Sequence, residues 1–175
     1  PIGEALQYKH RLELRDADAA RITGRWSDPP LVDARANLDY EISGTGRSAA
    51  DFWSDASGSL ELVIGSGTIR AAAAERAVRN LIATFFLTVL ARAEEEDTAQ
   101  LNCLASKVTI TGGLANFDVL VLDTGKSTLV GTGTADLRTE TWDVKIKPRP
   151  KRTTLTTATS ITVTGPFTDP KVTLD

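Results

Sequence analysis

Hydrophobic and polar residues alternate along most of the chain, the pattern of β-strands with one apolar and one solvated face. Between Tyr8 and Leu14 the apolar residues and His10 hold the even positions, and charged residues hold the odd ones. The same alternation runs from Ala34 to Ile42. Further strands are predicted over residues 60–64, 104–111, 114–123, 127–137, 142–147, 161–163 and 172–174.

Short polar or glycine-containing stretches separate these strands. Residues 16–18 are predicted to form a turn before a returning strand over 21–26, and residues 112–113 and 124–126 are predicted to form two further turns. Connections this short join antiparallel neighbours. An antiparallel meander is therefore expected.

The strand 114–123 differs from the others because it is apolar on both faces. A strand of this kind favours a central position in the sheet. Two leucines are predicted to point one way and three residues the other: Leu120 and Leu122 against Phe117, Val119 and Val121.

The longest apolar run, LIATFFLTVLA over residues 81–91, predicts a helix. A membrane span needs roughly 20 apolar residues, and this run is shorter and flanked by charged residues. Strong helix formers precede it, and its apolar residues recur at spacings of three and four. We expect an amphipathic helix from about Ala71 to Glu95, roughly 37 Å long.

These patterns predict a mainly β (α+β) fold. It is a curved antiparallel sheet or meander, with one long amphipathic helix packed on its concave apolar face. In the plainer interpretation the helix only completes a core. In the sharper one, sheet and helix leave an apolar trough that the helix partly plugs or gates.

Three G-x-G units occur in strand-like sequence, at residues 44–46, 65–67 and 131–133. None continues into the G-x-G-x-x-G pattern of a dinucleotide site. Glycines two apart remove side chains from one face, so the strand can bend or another backbone can approach. Sheet bending is favoured over ligand contact.

Composition and charge argue for a non-catalytic protein. The 175 residues suit one domain, and the net charge of −3 gives no strong field for nucleic acid. His10, the single histidine, falls on the apolar face of a strand, and no serine lies in a nucleophile elbow. No His, Cys and carboxylate cluster has metal-ligand spacing. We therefore expect neither an enzyme nor a cofactor.

One basic stretch, KIKPRPKR over residues 145–152, places five cations within eight residues. Its lysines and prolines are typical of a solvated edge or loop that resists strand pairing. The alternative is a contact site for lipid phosphates. No aromatic residues interleave with the charges, which argues against nucleic acid. The candidate headgroup contacts are Lys145, Lys147, Arg149, Lys151 and Arg152.

The order of strand and turn segments resembles the carboxy-terminal region of the AsmA family of bacterial envelope proteins. The resemblance covers Leu101 to Asp175 and extends more faintly over Ile42 to Ala91. The segments that carry it are LNCLA at 101–105, VTITGG at 108–113, VLDT at 121–124, GTGTADLRTE at 131–140, VKIKPRPK at 144–151 and ITVTGPFTDPKV at 161–172.

The resemblance implies a single AsmA-like carboxy-terminal domain over 1–175, with strands in 1–70, a helix in 71–97 and strands in 98–175. It implies a periplasmic segment of a longer protein, held in the inner membrane by an amino-terminal anchor absent from this sequence. Relatives among bridge-like lipid carriers imply a hydrophobic groove for phospholipid acyl chains and a role in outer-membrane assembly. The alternative is a periplasmic scaffold that binds another envelope protein.

For the lipid-carrier interpretation, the candidate contacts are apolar side chains of the predicted helix and of two predicted strands. They are Phe85, Phe86, Leu87, Leu90, Val119, Val121, Trp142, Val144 and Ile146.

Overall fold

The computed structural model describes residues 5–25, 28–70, 98–151 and 159–175. These residues form nine strands and two short helices. In chain order the elements are β1 (Leu6–Asp18), α1 (Ala19–Thr23), β2 (Val32–Gly46), α2 (Ala49–Asp55), β3 (Ser57–Arg70), β4 (Thr98–Thr111), β5 (Leu114–Thr124), β6 (Ser127–Asp136), β7 (Thr141–Pro150), β8 (Ile161–Pro166) and β9 (Lys171–Leu174).

The nine strands form one sheet in which each strand pairs antiparallel with the next. The predicted meander is confirmed. The central position predicted for the strand 114–123 is also confirmed, because β5 is the fifth of nine strands. Strands β2 and β3 are longer than predicted, at 15 and 14 residues. Within the described residues β1 and β9 do not pair with each other, so the sheet is open.

One face of the sheet, here called the inner face, carries the buried apolar residues. A single row crosses four strands, with Ile64 of β3 beside Leu104, then Leu122, then Leu129 of β6. These three leucines are at most 4% exposed. The opposite outer face carries ion pairs such as Lys107 with Glu61. Burial of these apolar side chains is the main contribution that the alternating sequence makes to the stability of the fold.

The alternation predicted for β7 is confirmed. Val144 and Ile146 are 0% and 3% exposed on the inner face, where Trp142 is partly buried beside them. Three polar side chains occupy the exposed positions between and after them: Asp143, Lys145 and Lys147.

The predicted orientation of Phe117 is wrong. Val108 pairs with Phe117 and Lys107 pairs with Val119, so Asp118 is an extra residue that forms a bulge. A bulge shifts the alternation by one residue, which turns Phe117 to the inner face. There its ring stacks on Trp142, with centroids 6.4 Å apart.

The predicted turn at 16–18 and returning strand at 21–26 are wrong over the described residues. Strand β1 continues to Asp18 through an irregularity at Asp16, and α1 follows it. The Asp18 carboxylate accepts hydrogen bonds from the backbone N–H groups of Ala20 and Arg21, at 3.0 and 3.3 Å. This N-cap satisfies free donors of the first turn and favours a helix over a returning strand.

The long helix predicted from Ala71 to Glu95 lies outside the described residues. The described part of the chain has only the five-residue α1 and the seven-residue α2 as helices. A second apolar cluster lies at the end of the sheet occupied by α2. It joins Phe52 and Ala56 of that segment to inner-face residues that include Ile42, Val108, Ile110, Ala115 and Ala135.

Candidate functional site

Among the residues that the structure describes, the inner face is open at its first edge, where β1, β2 and α2 line a pocket of about 650 Å³. We call it the β1–α2 pocket. This volume lies within the range of about 300–1,000 Å³ that is typical of small-molecule sites. Its lining is mainly aromatic and aliphatic: Tyr8, His10, Tyr40, Ile42, Ala49, Phe52, Trp53 and Leu60, with Arg47 and Ser48 as the polar members.

Strand register brings the floor of this pocket together. His10 of β1 lies opposite Ile42 of β2, and Tyr40 of β2 lies opposite Leu60 of β3. Alternate residues of a strand share a face, so Tyr8 and His10 project to the same side. Tyr8 is 41% exposed, because β1 is an edge strand with no neighbour beyond it in the described structure.

Helix α2 forms the wall of the pocket, and two glycines allow it to sit close to β2. A Cβ on Gly44 would lie 2.8 Å from the Phe52 carbonyl oxygen, and one on Gly46 would lie 2.6 Å from the Phe52 nitrogen. The first G-x-G unit therefore serves the close approach of another backbone segment.

Phe52 is the centre of an aromatic group. Its ring centroid lies 6.2 Å from that of Tyr8, 5.8 Å from that of His10 and 5.0 Å from that of Trp53, each pair edge to face. Such pairs stabilise one another beyond the area they bury. The wall of the pocket is thus held by ring packing, while Trp53 remains 44% exposed at its rim.

The polar lining of the pocket is basic. Arg47 is exposed, and its guanidinium has no ion-pair partner among the described residues. The nearby carboxylates of Asp51 and Asp55 accept backbone N–H groups of Arg47 and Thr45, at 3.1 and 3.0 Å, and neither lines the pocket.

The lipid contacts predicted from the sequence do not share one surface. Trp142, Val144 and Ile146 belong to the inner face. Val119 and Val121 belong to the outer face, since they lie opposite Lys107 and Ala105. The remaining four candidates lie outside the described residues: Phe85, Phe86, Leu87 and Leu90.

The headgroup candidates are divided in the same way. Lys145 forms an ion pair with Asp175 at 3.4 Å, and Lys147 and Arg149 are exposed on β7. Lys151 binds Asp123 at 2.8 Å. Arg152 lies outside the described residues. Among the described residues, β8 pairs with β7 only as far as Ile146.

The Asp123 carboxylate is stabilised in its charged form by three side chains. Hydrogen bonds from Lys151, Thr128 and Asn102, in that order of effect, lower its pKa from 3.8 to about 2. The amide of Asn102 donates at 2.8 Å. These bonds favour the charged form. The cluster joins the turn after β5 to the end of β7, so its role is structural.

A sequence comparison with known proteins gives one relative. Over 140 residues, or 77% of the chain, the sequence is 29% identical to AsmA family protein YhjG of Escherichia coli strain K12. The chain is a homologue of an AsmA family protein. The chain spans about 19% of the length of that AsmA relative. No family model matches the chain, and no solved structure matches it.

Two further observations concern the described residues of this chain. Neither helix of the described ranges has the length and apolar character needed to cross a bilayer. The same ranges hold no group of three or more His, Cys, Asp or Glu side chains suited to a metal ion. His10 lies on the apolar face of β1, as its alternation predicts, and contacts Phe52.

Sequence reasoning missed α2 and with it the wall of the pocket. The signal was present as S-x-x-D at residues 48–51, followed by Phe52 and Trp53. Ser48 Oγ accepts the Asp51 N–H at 3.1 Å, and the Asp51 carboxylate accepts the Arg47 N–H. This reciprocal arrangement resembles a capping box and begins the helix.

Proposed function

We propose that this chain is a periplasmic segment of a longer envelope-biogenesis protein anchored to the inner membrane. It binds phospholipid acyl chains in the β1–α2 pocket, at the open edge of its apolar inner face, and supports outer-membrane assembly without catalysis. The proposal extends to this chain the envelope role implied by the family of its relative. The observation that carries the proposal is the β1–α2 pocket, where the inner face stays open and apolar.

The argument for acyl chains is that the apolar inner face continues from the buried strands onto the exposed strand β1. Buried side chains cover the inner face from β2 to β8, and the same face continues onto β1 with Leu12 and Tyr8 about 40% exposed. Contiguous exposed apolar surface is costly in water and marks interaction sites. A hydrocarbon chain has no polar group to satisfy and suits such a surface.

Native mass spectrometry of protein purified without detergent tests the proposal. Bound phospholipid is the expected result. Tyr8→Glu places a charge in the pocket and should abolish the bound lipid, whereas Gln7→Glu on the opposite face of β1 should retain it. Equal lipid content in both variants, at equal melting temperature, would contradict the pocket as the binding site.

The second candidate function is a non-catalytic scaffold that binds another envelope protein. The 13-residue edge strand β1 favours it, because an unpaired edge can accept an added strand. A scaffold would carry no lipid in the same mass spectra. It would form a complex that Tyr8→Glu leaves intact if backbone pairing alone holds the partner.

A further inference from the structure

We infer that the β1–α2 pocket selects amphiphiles with an acidic head and one apolar chain, and that Arg47 binds the head. This inference rests on the proposed function and adds a ligand class and a specificity residue to it. The acidic head is a carboxylate or a phosphate, and both present oxygen atoms that a guanidinium binds in bidentate fashion.

The first argument is that the pocket lining combines a large apolar surface with one charged side chain. Hydrophobic and ring-bearing residues form most of its lining, and Arg47 is the one lining residue among the arginines, lysines and acids of the described chain. Sites for small molecules commonly combine an apolar body with a few polar groups that fix orientation. Here the apolar body suits a chain, and the guanidinium suits an anion at its end.

The second argument is the position of the neighbouring acids. One carboxylate oxygen of Asp51 accepts the backbone N–H of Arg47, and one of Asp55 accepts that of Thr45, so each acid is directed to the backbone at the end of β2. Neither carboxylate lies in the pocket lining. Within the described ranges, no carboxylate pairs with the guanidinium, which is available for a ligand.

The third argument is the hydrogen-bonding capacity around the same position. Ser48 lines the pocket beside Arg47, and the hydroxyls of Tyr8 and Tyr40 are carried by two further lining residues. Hydroxyl groups can donate to an anionic oxygen. Arg47 therefore supplies the charge, and the neutral hydroxyls of the same lining are donors available to the remaining oxygen lone pairs.

The experiment compares three ligands of one chain length: oleate, oleyl phosphate and oleyl alcohol. Their affinities are measured by displacement of a fluorescent fatty acid at fixed low salt. We expect both acids to bind at least roughly tenfold more tightly than the alcohol. Raising the salt concentration should reduce this preference, because Arg47 is exposed.

Three variants locate the preference. Arg47→Gln should bind all three ligands with the affinity that the parent protein has for oleyl alcohol. Arg47→Lys should keep part of the preference for the two acids. Arg11→Gln, which removes an exposed cation on the opposite face of β1, should match the parent protein. Whether oleate or oleyl phosphate binds more tightly identifies the acid.

The outcomes separate the two proposals. If acids and alcohol bind equally, or if Arg47→Gln keeps the preference, the inference is overturned while acyl-chain binding stands. If no ligand binds the folded protein, both proposals fail. Circular dichroism of each variant establishes that it is folded. Because Arg47 is exposed, its replacement removes no core contact.

Discussion

Lys151 at the end of β7 holds Asp123 of β5, with 2.8 Å between the ammonium nitrogen and a carboxylate oxygen. The same nitrogen donates to the Thr124 carbonyl at 2.7 Å. The basic stretch that suggested a phosphate site thus contributes one of its cations to the fold. Lys151 ties together two strands that β6 separates.

Replacing Lys151 with Gln should lower the free energy of unfolding by about 1 kcal/mol at neutral pH, since the pair is partly exposed. Urea unfolding measures it. Lys145→Gln is the matched control, because its pair with Asp175 leaves both side chains about half exposed. A loss in the control as large as in Lys151→Gln would contradict a special role for Lys151.

Acid should destabilise the fold through Asp123. Its pKa is lowered to about 2 in the folded chain, against an ordinary 3.8. A lowered carboxyl pKa gives stability that is present above the ordinary value and is lost as pH falls towards the folded value. Unfolding free energy should therefore decline between about pH 4 and pH 2, and Asp123→Asn should flatten that part of the profile.

Adding a methyl group at Gly46 should displace α2. The new Cβ would lie 2.6 Å from the Phe52 nitrogen, so Gly46→Ala should cost about 1–3 kcal/mol of stability. Gly65→Ala in the second G-x-G unit is the control, since its Cβ would meet only the Arg35 carbonyl at 3.7 Å. Thermal unfolding of both variants gives the comparison. Equal melting temperatures would contradict the close packing of α2 against β2 at Gly46.

Val144 was a candidate lipid contact, and its complete burial predicts a core role. Val144→Ala removes two buried carbon atoms and should cost about 2 kcal/mol, whereas Val63→Ala on the outer face should cost less than about 0.5 kcal/mol. Lipid content should fall only as far as the fraction of folded protein falls. A loss of lipid at unchanged stability would instead make Val144 a direct contact.

Removing the Ser48 hydroxyl should weaken the wall of the pocket. Ser48→Ala leaves the Asp51 N–H without its partner and should cost about 1 kcal/mol. Ser66→Ala, at an exposed strand position, should be nearly neutral. If the cap holds α2 in place, Ser48→Ala should also weaken lipid binding. Unchanged binding would show that the position of α2 does not matter for the site.

The sequence predicted the order of the strands well because alternation is a local signal. In β7 every second side chain from Trp142 to Ile146 faces the inner side, as predicted. The same reasoning failed at Phe117, since the extra residue Asp118 has no sequence signature of its own and shows only in the pairing with β4. Bulges depend on the neighbouring strand, which a single segment does not specify.

The site was less predictable than the fold. Val119 and Val144 are both apolar strand residues, yet the sheet separates them onto opposite faces. Arg47 and His10 are distant in sequence and meet in one pocket only because β1 pairs with β2 and α2 folds back over them. The capping pattern at Ser48 was a local signal that predicts α2, but its packing on Gly46 required the tertiary structure.

The two edges of the sheet are unequal, with 13 residues in β1 and four in β9. In the described part of the chain each strand bonds only to its neighbours in the sequence, so a hairpin inserted before β1 would leave every existing pair unchanged. Each such hairpin would widen the sheet by roughly 10 Å, twice the spacing between strands. A sheet built on this plan can be widened by whole hairpins at the β1 edge without rearranging the strands already present.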